Sequence, residues 1–193
     1  MAKFCNEKVY KIVKPAVDLL AGIPSVVYGF FGMVVLVPAF RNIFGNGNCV
    51  FTASILLGIM ILPTIIGVAE SAINAVPDSY YEGSLALGAS HERSVFFATL
   101  PAAKSGILAA VILGVGRALG ETMAVMMVIG NANLFPHLLG KSESIASVIA
   151  LEMGTAVVGS THYHALYAAG MVLMILLFAI NLIITILREK LIG

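Results

Sequence analysis

Glu82-Gly83-Ser84-Leu85-Ala86-Leu87-Gly88, with Leu100-Pro101 further on, is a polar segment set between two strongly apolar ones. Its reading decides the fold, because the flanking runs are long enough to cross a bilayer. Of 193 residues, 60% are hydrophobic and 11% charged, and the mean hydropathy is +1.01. Soluble domains hold roughly 45–50% apolar and about 25% charged residues, and one core in a chain of this length cannot hide the surplus. The chain is therefore read as an all-α integral membrane protein. A formal charge of +1 without a Lys/Arg run leaves no nucleic-acid footprint.

Working outward, four apolar runs are expected to span, over 19–40, 50–75, 107–129 and 165–187. Each exceeds the roughly 20 residues that cross about 30 Å of hydrocarbon at 1.5 Å per residue. The first contains Gly22, Pro24, Gly29, Gly32 and Pro38, so it is expected to be broken or to begin as an interfacial helix over 15–23. Pro63 predicts a kink in the second. With both termini inside, the cytoplasmic side holds Lys3, Lys8, Lys11, Lys14, Arg93, Lys104, Arg188 and Lys190, against Arg41 and Lys141 outside. That is a positive-inside bias. It puts 76–104 in the cytoplasm and 131–164 outside. Cys5 then lies inside and Cys49 outside, so no disulfide joins them, and neither belongs to a metal or redox motif. The N-terminus, charged and polar through Asp18, does not read as a secretory leader.

Within the cytoplasmic segment, Val76-Pro77 closes the second span, since the residue before proline leaves helical geometry. Ser79 and Glu82 stand in capping-box relation, which predicts a short helix through Leu87. Gly88 is expected to stop it in the left-handed conformation. A second helix is expected from about His91, carrying Arg93, Phe96 and Phe97. Leu100-Pro101 then opens the third span with proline in its first turn. On local physics alone, Glu82 either only caps and Gly88 only ends a helix, or the corner they form is a docking surface.

The register Glu82-Gly83-Ser84, three residues, Gly88, nine residues, Ala98-Thr99-Leu100-Pro101 resembles the EAA loop of ABC-importer permeases. That loop usually reads Glu-Ala-Ala, three residues, Gly, nine residues, Ile-x-Leu-Pro. Glu82, Gly88, Leu100 and Pro101 match in register, whereas Gly83, Ser84 and Ala98 are small-residue departures. Longer segments are similar to phosphate-importer permeases: 20–29, Leu62-Pro63-Thr64 with Glu70, Ala86-Leu87-Gly88-Ala89, and 116–125. Thr122-Met123-Ala124-Val125 after Glu121, and 144–150, resemble the PstC-type subunit rather than its PstA-type sibling.

The resemblance implies a polytopic type I ABC-importer transmembrane domain with a MetI-like core, occupying 1–193, with about four spanning helices plus a cytoplasmic coupling helix within 76–104. It implies half of a translocation pathway for inorganic phosphate. It also implies a PstA-type second permease subunit, an ATPase dimer docked on the short helix, and an extracytoplasmic phosphate-binding protein. ATP is expected on the ATPase and no cofactor on this chain, which has no Walker A pattern. PstC-type permeases carry six spans and the match begins after the second, so the resemblance implies a fragment or a short form. A molybdate, tungstate or sulfate importer remains an alternative.

Arg117 and Glu121, four residues apart in the third apolar run, are expected on one helical face. A charge at bilayer depth costs from about 2.5 to well over 10 kcal/mol. Beside them, Gly106, Ala110, Gly114 and Ala118 form a small-residue stripe suited to close helix approach, with the charged pair offset by about 60°. A guanidinium fork matches an oxyanion, so Arg117 and Glu121 are the candidate pathway residues. The alternative is a structural pair that fixes helix register. Glu70 is expected to reach water or Lys104. His162 and His164, two apart, share no helical face and suggest no metal site. Met123, Met126 and Met127 read as lipid or helix contacts. Ile145, Val148, Ile149 and Met153 predict a half-buried helix in the outer loop. An intramembrane hydrolase is disfavoured, since no Gly-x-Ser-x-Gly occurs and no histidine lies inside a span.

Overall fold

Helix breakers divide this chain more finely than its hydropathy does. The computed structural model describes residues 6–192; Lys3 and Cys5, expected on the inner side, lie outside the described residues. α1 (Glu7–Ala21) starts where Asn6 Oδ1 accepts the Lys8 N–H at 3.2 Å, and Gly22 and Pro24 separate it from α2. It is longer than the interfacial helix expected over 15–23. α2 (Ser25–Phe31) passes through one π-helical turn, Gly32–Leu36, into α3 (Val37–Phe44), which Gly45 ends at φ 75°. α4 (Val50–Asn74) runs through Pro63. Then come α5 (Asp78–Ala86), α6 (His91–Ser94), a second π-helical turn Val95–Thr99, α7 (Leu100–Ala102), α8 (Lys104–Leu119), α9 (Met123–Val128), α10 (Ile145–Glu152) and α11 (Thr161–Ile192). Among the described residues the β pairing is one bridge, Gly130 to Ser142, and the all-α expectation holds.

Among the described residues, three helical stretches are long and apolar enough to cross a membrane: Ser25–Phe44, Val50–Asn74 and Thr161–Ile183. A fourth exists if His91–Ala102 and Lys104–Leu119, bent by 67°, are one broken span. The third span expected over 107–129 is therefore corrected. α8 stops at Leu119, Gly120 and Glu121 lie outside helix, and α9 starts anew at Met123. Glycine favours such a stop, and Glu121 Oε1 accepts the Ala124 N–H at 3.1 Å, satisfying a donor that the restart exposes. The capping box is corrected too. α5 begins one residue before Ser79, with Pro77 at the cap position, no side-chain cap, and Asp78 in its first turn.

Residues 23–61 and 116–182 form one compact unit. Its core is Tyr28, Val37, Ala53, Leu56, Met60, Ala124, Val125, Val128 and Ile129. Two glycines let the helices close on this core. A Cβ on Gly29 would lie 2.7 Å from Met127 Sδ and 3.0 Å from Ala124 Cα; one on Gly32 would lie 2.8 Å from both Leu56 Cδ2 and Val128 Cγ1. At the N-terminal end of α4, the first-turn donors are taken by loop carbonyls, Val50 N–H by Gly140 at 3.2 Å and Phe51 N–H by Leu138 at 2.9 Å. Asn46 Nδ2 adds a bond to Leu139 O at 3.1 Å.

Of the described residues, 6–22, 62–115 and 183–192 group as the second unit. There α5, α6 and α7 pack around the Val95–Thr99 turn. A Cβ on Gly106 would clash with Ala72 Cβ, and Ala110 and Gly114 are buried. The small-residue stripe thus lies on a closely packed face, as its spacing predicts.

Candidate translocation and coupling sites

The corner at Gly88 is built by local backbone chemistry. As α5 ends, Gly88 N–H bonds Leu85 O at 2.8 Å and Ala89 N–H bonds Ser84 O at 3.2 Å, with Gly88 at φ 84°. Ser90 Oγ then accepts the Arg93 N–H at 3.4 Å, capping α6. Across the corner the Tyr81 hydroxyl and His91 Nδ1 stand 2.7 Å apart, their rings edge to face at 5.7 Å. The sequence signals neither Ser90 nor this aromatic contact, and a separation of ten positions hides the latter from any short-range pattern.

Glu82, Gly83 and Gly88 are exposed and Ser84 half-buried. Leu87 is 91% and Phe97 78% exposed, and Ser90, Glu92, Arg93, Phe96 and Phe97 line an open groove. Leu100 and Pro101 belong to α7, which packs on the Val95–Thr99 turn that also packs on α5. The two ends of the motif are therefore held in one packed unit. Pro101 sits in the first turn of α7, just before the 67° bend that separates His91–Ala102 from Lys104–Leu119.

The charged pair has a different geometry from the one expected. Arg117, exposed, occupies the last turn of α8, while half-buried Glu121 lies in the break beyond it. They do not share one helical face. Each suits its own helix end, a cation at a C-terminus and a carboxylate at an N-terminus. Glu121 forms part of the wall of a cavity of about 270 Å³, with Ser54, Ser144, Leu57, Val125 and Leu173. Tyr28-Gly29 and Ala124-Val125, both from segments that carry the resemblance, are brought together in one core, α2 packing on α9 at Gly29.

Glu70, 6% exposed, meets Lys14 Nζ through Oε2 at 2.8 Å instead of the expected Lys104. Hydrogen bonding to Glu70 holds the Lys14 ammonium above its ordinary range, against a smaller opposing desolvation. The lysine therefore stays charged through neutral pH, and its contribution is lost only as pH rises past the raised value. His162 Nε2 lies 3.1 Å from Glu152 Oε2, a pairing the spacing of the two histidines did not signal. α10, capped reciprocally by Ser144 and Ser147, is the helix that the spacing of Ile145, Val148 and Ile149 predicts, and Met153, the fourth residue of that pattern, stands at its C-cap.

The profile of the family described as binding-protein-dependent transport system inner membrane component matches residues 1–192. The chain is 39% identical over 183 residues to the probable ABC transporter permease protein YqgH of Bacillus subtilis, covering 93% of this chain and 59% of that one. It is 37% identical over 199 residues to the phosphate transport system permease protein PstC of Haemophilus influenzae (92% and 61%). It is 35% identical over 185 residues to the probable PstC of Methanocaldococcus jannaschii (86% and 58%). The chain thus spans about three-fifths of the length of these relatives. An inward-facing structure of the MetNI methionine ABC transporter superposes with TM-score 0.74 at 22% identity, covering 97% of this chain and 78% of that one, a likeness of fold.

Proposed function

Since the chain belongs to the family of binding-protein-dependent transport system inner membrane components, we propose that it forms one permease domain and supplies half of the pathway of an ATP-driven inorganic phosphate importer. The observation that carries the substrate is its 35–37% identity, over most of its length, to two permeases named for phosphate. In this reading a PstA-type permease supplies the other half. An ATPase dimer binds the ATP and docks on 76–104, and an extracytoplasmic phosphate-binding protein delivers substrate to the outer loops. Both termini are cytoplasmic, and the chain performs no covalent chemistry.

Arg117 and Glu121 are the pathway residues. An exposed guanidinium in so apolar a unit must face water or protein rather than lipid, and its fork of N–H donors suits phosphate oxygens. Glu121, held by the Ala124 N–H, keeps its carboxylate at the wall of the cavity as a proton acceptor or a gate against unneutralised anions. Hydrogen bonds to charged groups are worth about 1.5–3 kcal/mol. Arg117→Gln in the complete transporter should therefore lower labelled-phosphate uptake by roughly 10- to 100-fold, with normal complex yield. Glu121→Gln and the double variant are measured beside it. Recovery of both uptake and yield in the double variant would mean a register lock and overturn the pathway role. Uptake of molybdate or sulfate that phosphate fails to compete would overturn the substrate.

A further inference from the structure

α1 presents three faces of different chemistry. At 100° per residue, Val9, Ile12, Ala16, Leu19 and Leu20 share an apolar arc, and Glu7, Lys11 and Asp18 lie on the opposite side. Ile12 is 73% and Leu19 74% exposed, and no residue of α1 is buried. Between these arcs lies a half-buried flank, Tyr10, Val13, Lys14 and Val17, the side turned to its own unit. From that flank Lys14 reaches Glu70 at 2.8 Å, about one turn before α4 ends at Asn74.

We infer that α1 lies flat in the headgroup–acyl boundary of the bilayer, its Ile12–Leu19 arc facing lipid, and that the Lys14–Glu70 pair fixes its rotation against α4. In water the open apolar arc would be an association liability. Fifteen residues rise only about 22 Å, too short for roughly 30 Å of hydrocarbon, and Glu7, Lys8, Lys11, Lys14 and Asp18 make spanning costlier still. An apolar arc opposite a charged one is the pattern of an interfacial helix. Lys8 stands at the edge of the apolar arc, where its stem lies along lipid and its ammonium reaches water. The latch serves both partners. Neither Glu70 oxygen has a hydrogen-bond partner among the described residues, so the Lys14 charge 2.8 Å from Oε2 is what offsets its burial, and a buried carboxylate without a counter-charge is costly.

The chain has no tryptophan, so one introduced indole reports without background, and exposed sites tolerate the exchange. Ile12→Trp, Leu19→Trp and, opposite them, Lys11→Trp are placed singly in the full chain. The protein is reconstituted in phosphatidylcholine brominated near the headgroup or deep in the acyl chain. The apolar-arc indoles should emit blue-shifted and be quenched more by shallow than by deep bromines, while Lys11→Trp is quenched by aqueous iodide and by neither lipid. Blue-shifted emission that neither lipid quenches would mean a protein partner covers the arc. Iodide quenching at Ile12→Trp would mean the arc faces water, and stronger deep quenching would mean a span; each outcome overturns the inference. In Glu70→Gln the contrast between Ile12→Trp and Lys11→Trp should be lost, and its survival would overturn the latch.

Discussion

Gly32 and Gly58 are both helical glycines in apolar segments, and their surroundings separate their roles. A Cβ at Gly32 would press 2.8 Å from Leu56 and Val128 methyls, and both side chains are fully buried, so neither has room to yield. Overpacking of this kind costs about 1–3 kcal/mol. At Gly58 no atom lies within 4 Å, and alanine gains roughly 0.5–1 kcal/mol over glycine in a helix. Gly32→Ala should therefore lower the thermal midpoint in detergent and Gly58→Ala should hold or raise it; equal shifts would mean that the α2–α4–α9 contact is not close-packed. At this scale the sequence is legible in chemistry and silent on partners. Arg117 and Glu121 stand out as charges in an apolar run, but their spacing assumed a helix that stops at Leu119. Glu70 reads as an intramembrane acid, yet its partner is 56 positions away in sequence, at Lys14, where no periodicity connects them.

Elements were legible where the backbone itself sets the boundary. Proline at 77, glycine at 88 and the start near His91 all act through local dihedral preference, and the structure places breaks at each. The capping box failed because Pro77 already fixes the entry to α5, so the helix begins before Ser79 can cap it. The third span failed because hydropathy sums residues without regard to hydrogen-bond continuity, and cannot see a carboxylate supplying a new helix start. The corner makes the clearest test at this scale. Gly88 at φ 84° has open space around it, so substitution there meets a conformational cost alone, about 1–2 kcal/mol for a residue with a Cβ and more for a β-branched one. Gly88→Ala should weaken ATPase association or coupling modestly and Gly88→Val severely, with membrane insertion of both unchanged. Normal transport by a complete transporter carrying Gly88→Val would remove the corner from the coupling route.

For the whole molecule, composition alone established the class, because no soluble core accommodates this much apolar surface. The grouping into two units rests on contacts between residues far apart in sequence, which no local pattern carries. Orientation is where sequence and structure together sharpen an experiment. Cys49 is the natural candidate for outside labelling, but it is fully buried, 3.2 Å from Thr52 Oγ1. A buried thiol is inert to a membrane-impermeant maleimide whichever way the chain runs. Exposed positions must replace it: Asn133 in the loop after α9 and Ser79 on α5, each made cysteine in a Cys5→Ser background. The basic residues Lys8, Lys11, Lys14, Arg93 and Lys104 against Arg41 and Lys141 favour cytoplasmic termini. In intact cells Asn133→Cys should then react and Ser79→Cys should react only after permeabilisation, with Cys49 silent in both until the protein is unfolded. The opposite pattern would place the Gly88 corner outside, where no ATPase can reach it, and would remove the coupling role together with the orientation. Reaction of both sites from outside would instead remove the crossing between α5 and the outer loop, which in the structure only the bent pair His91–Ala102 and Lys104–Leu119 can supply.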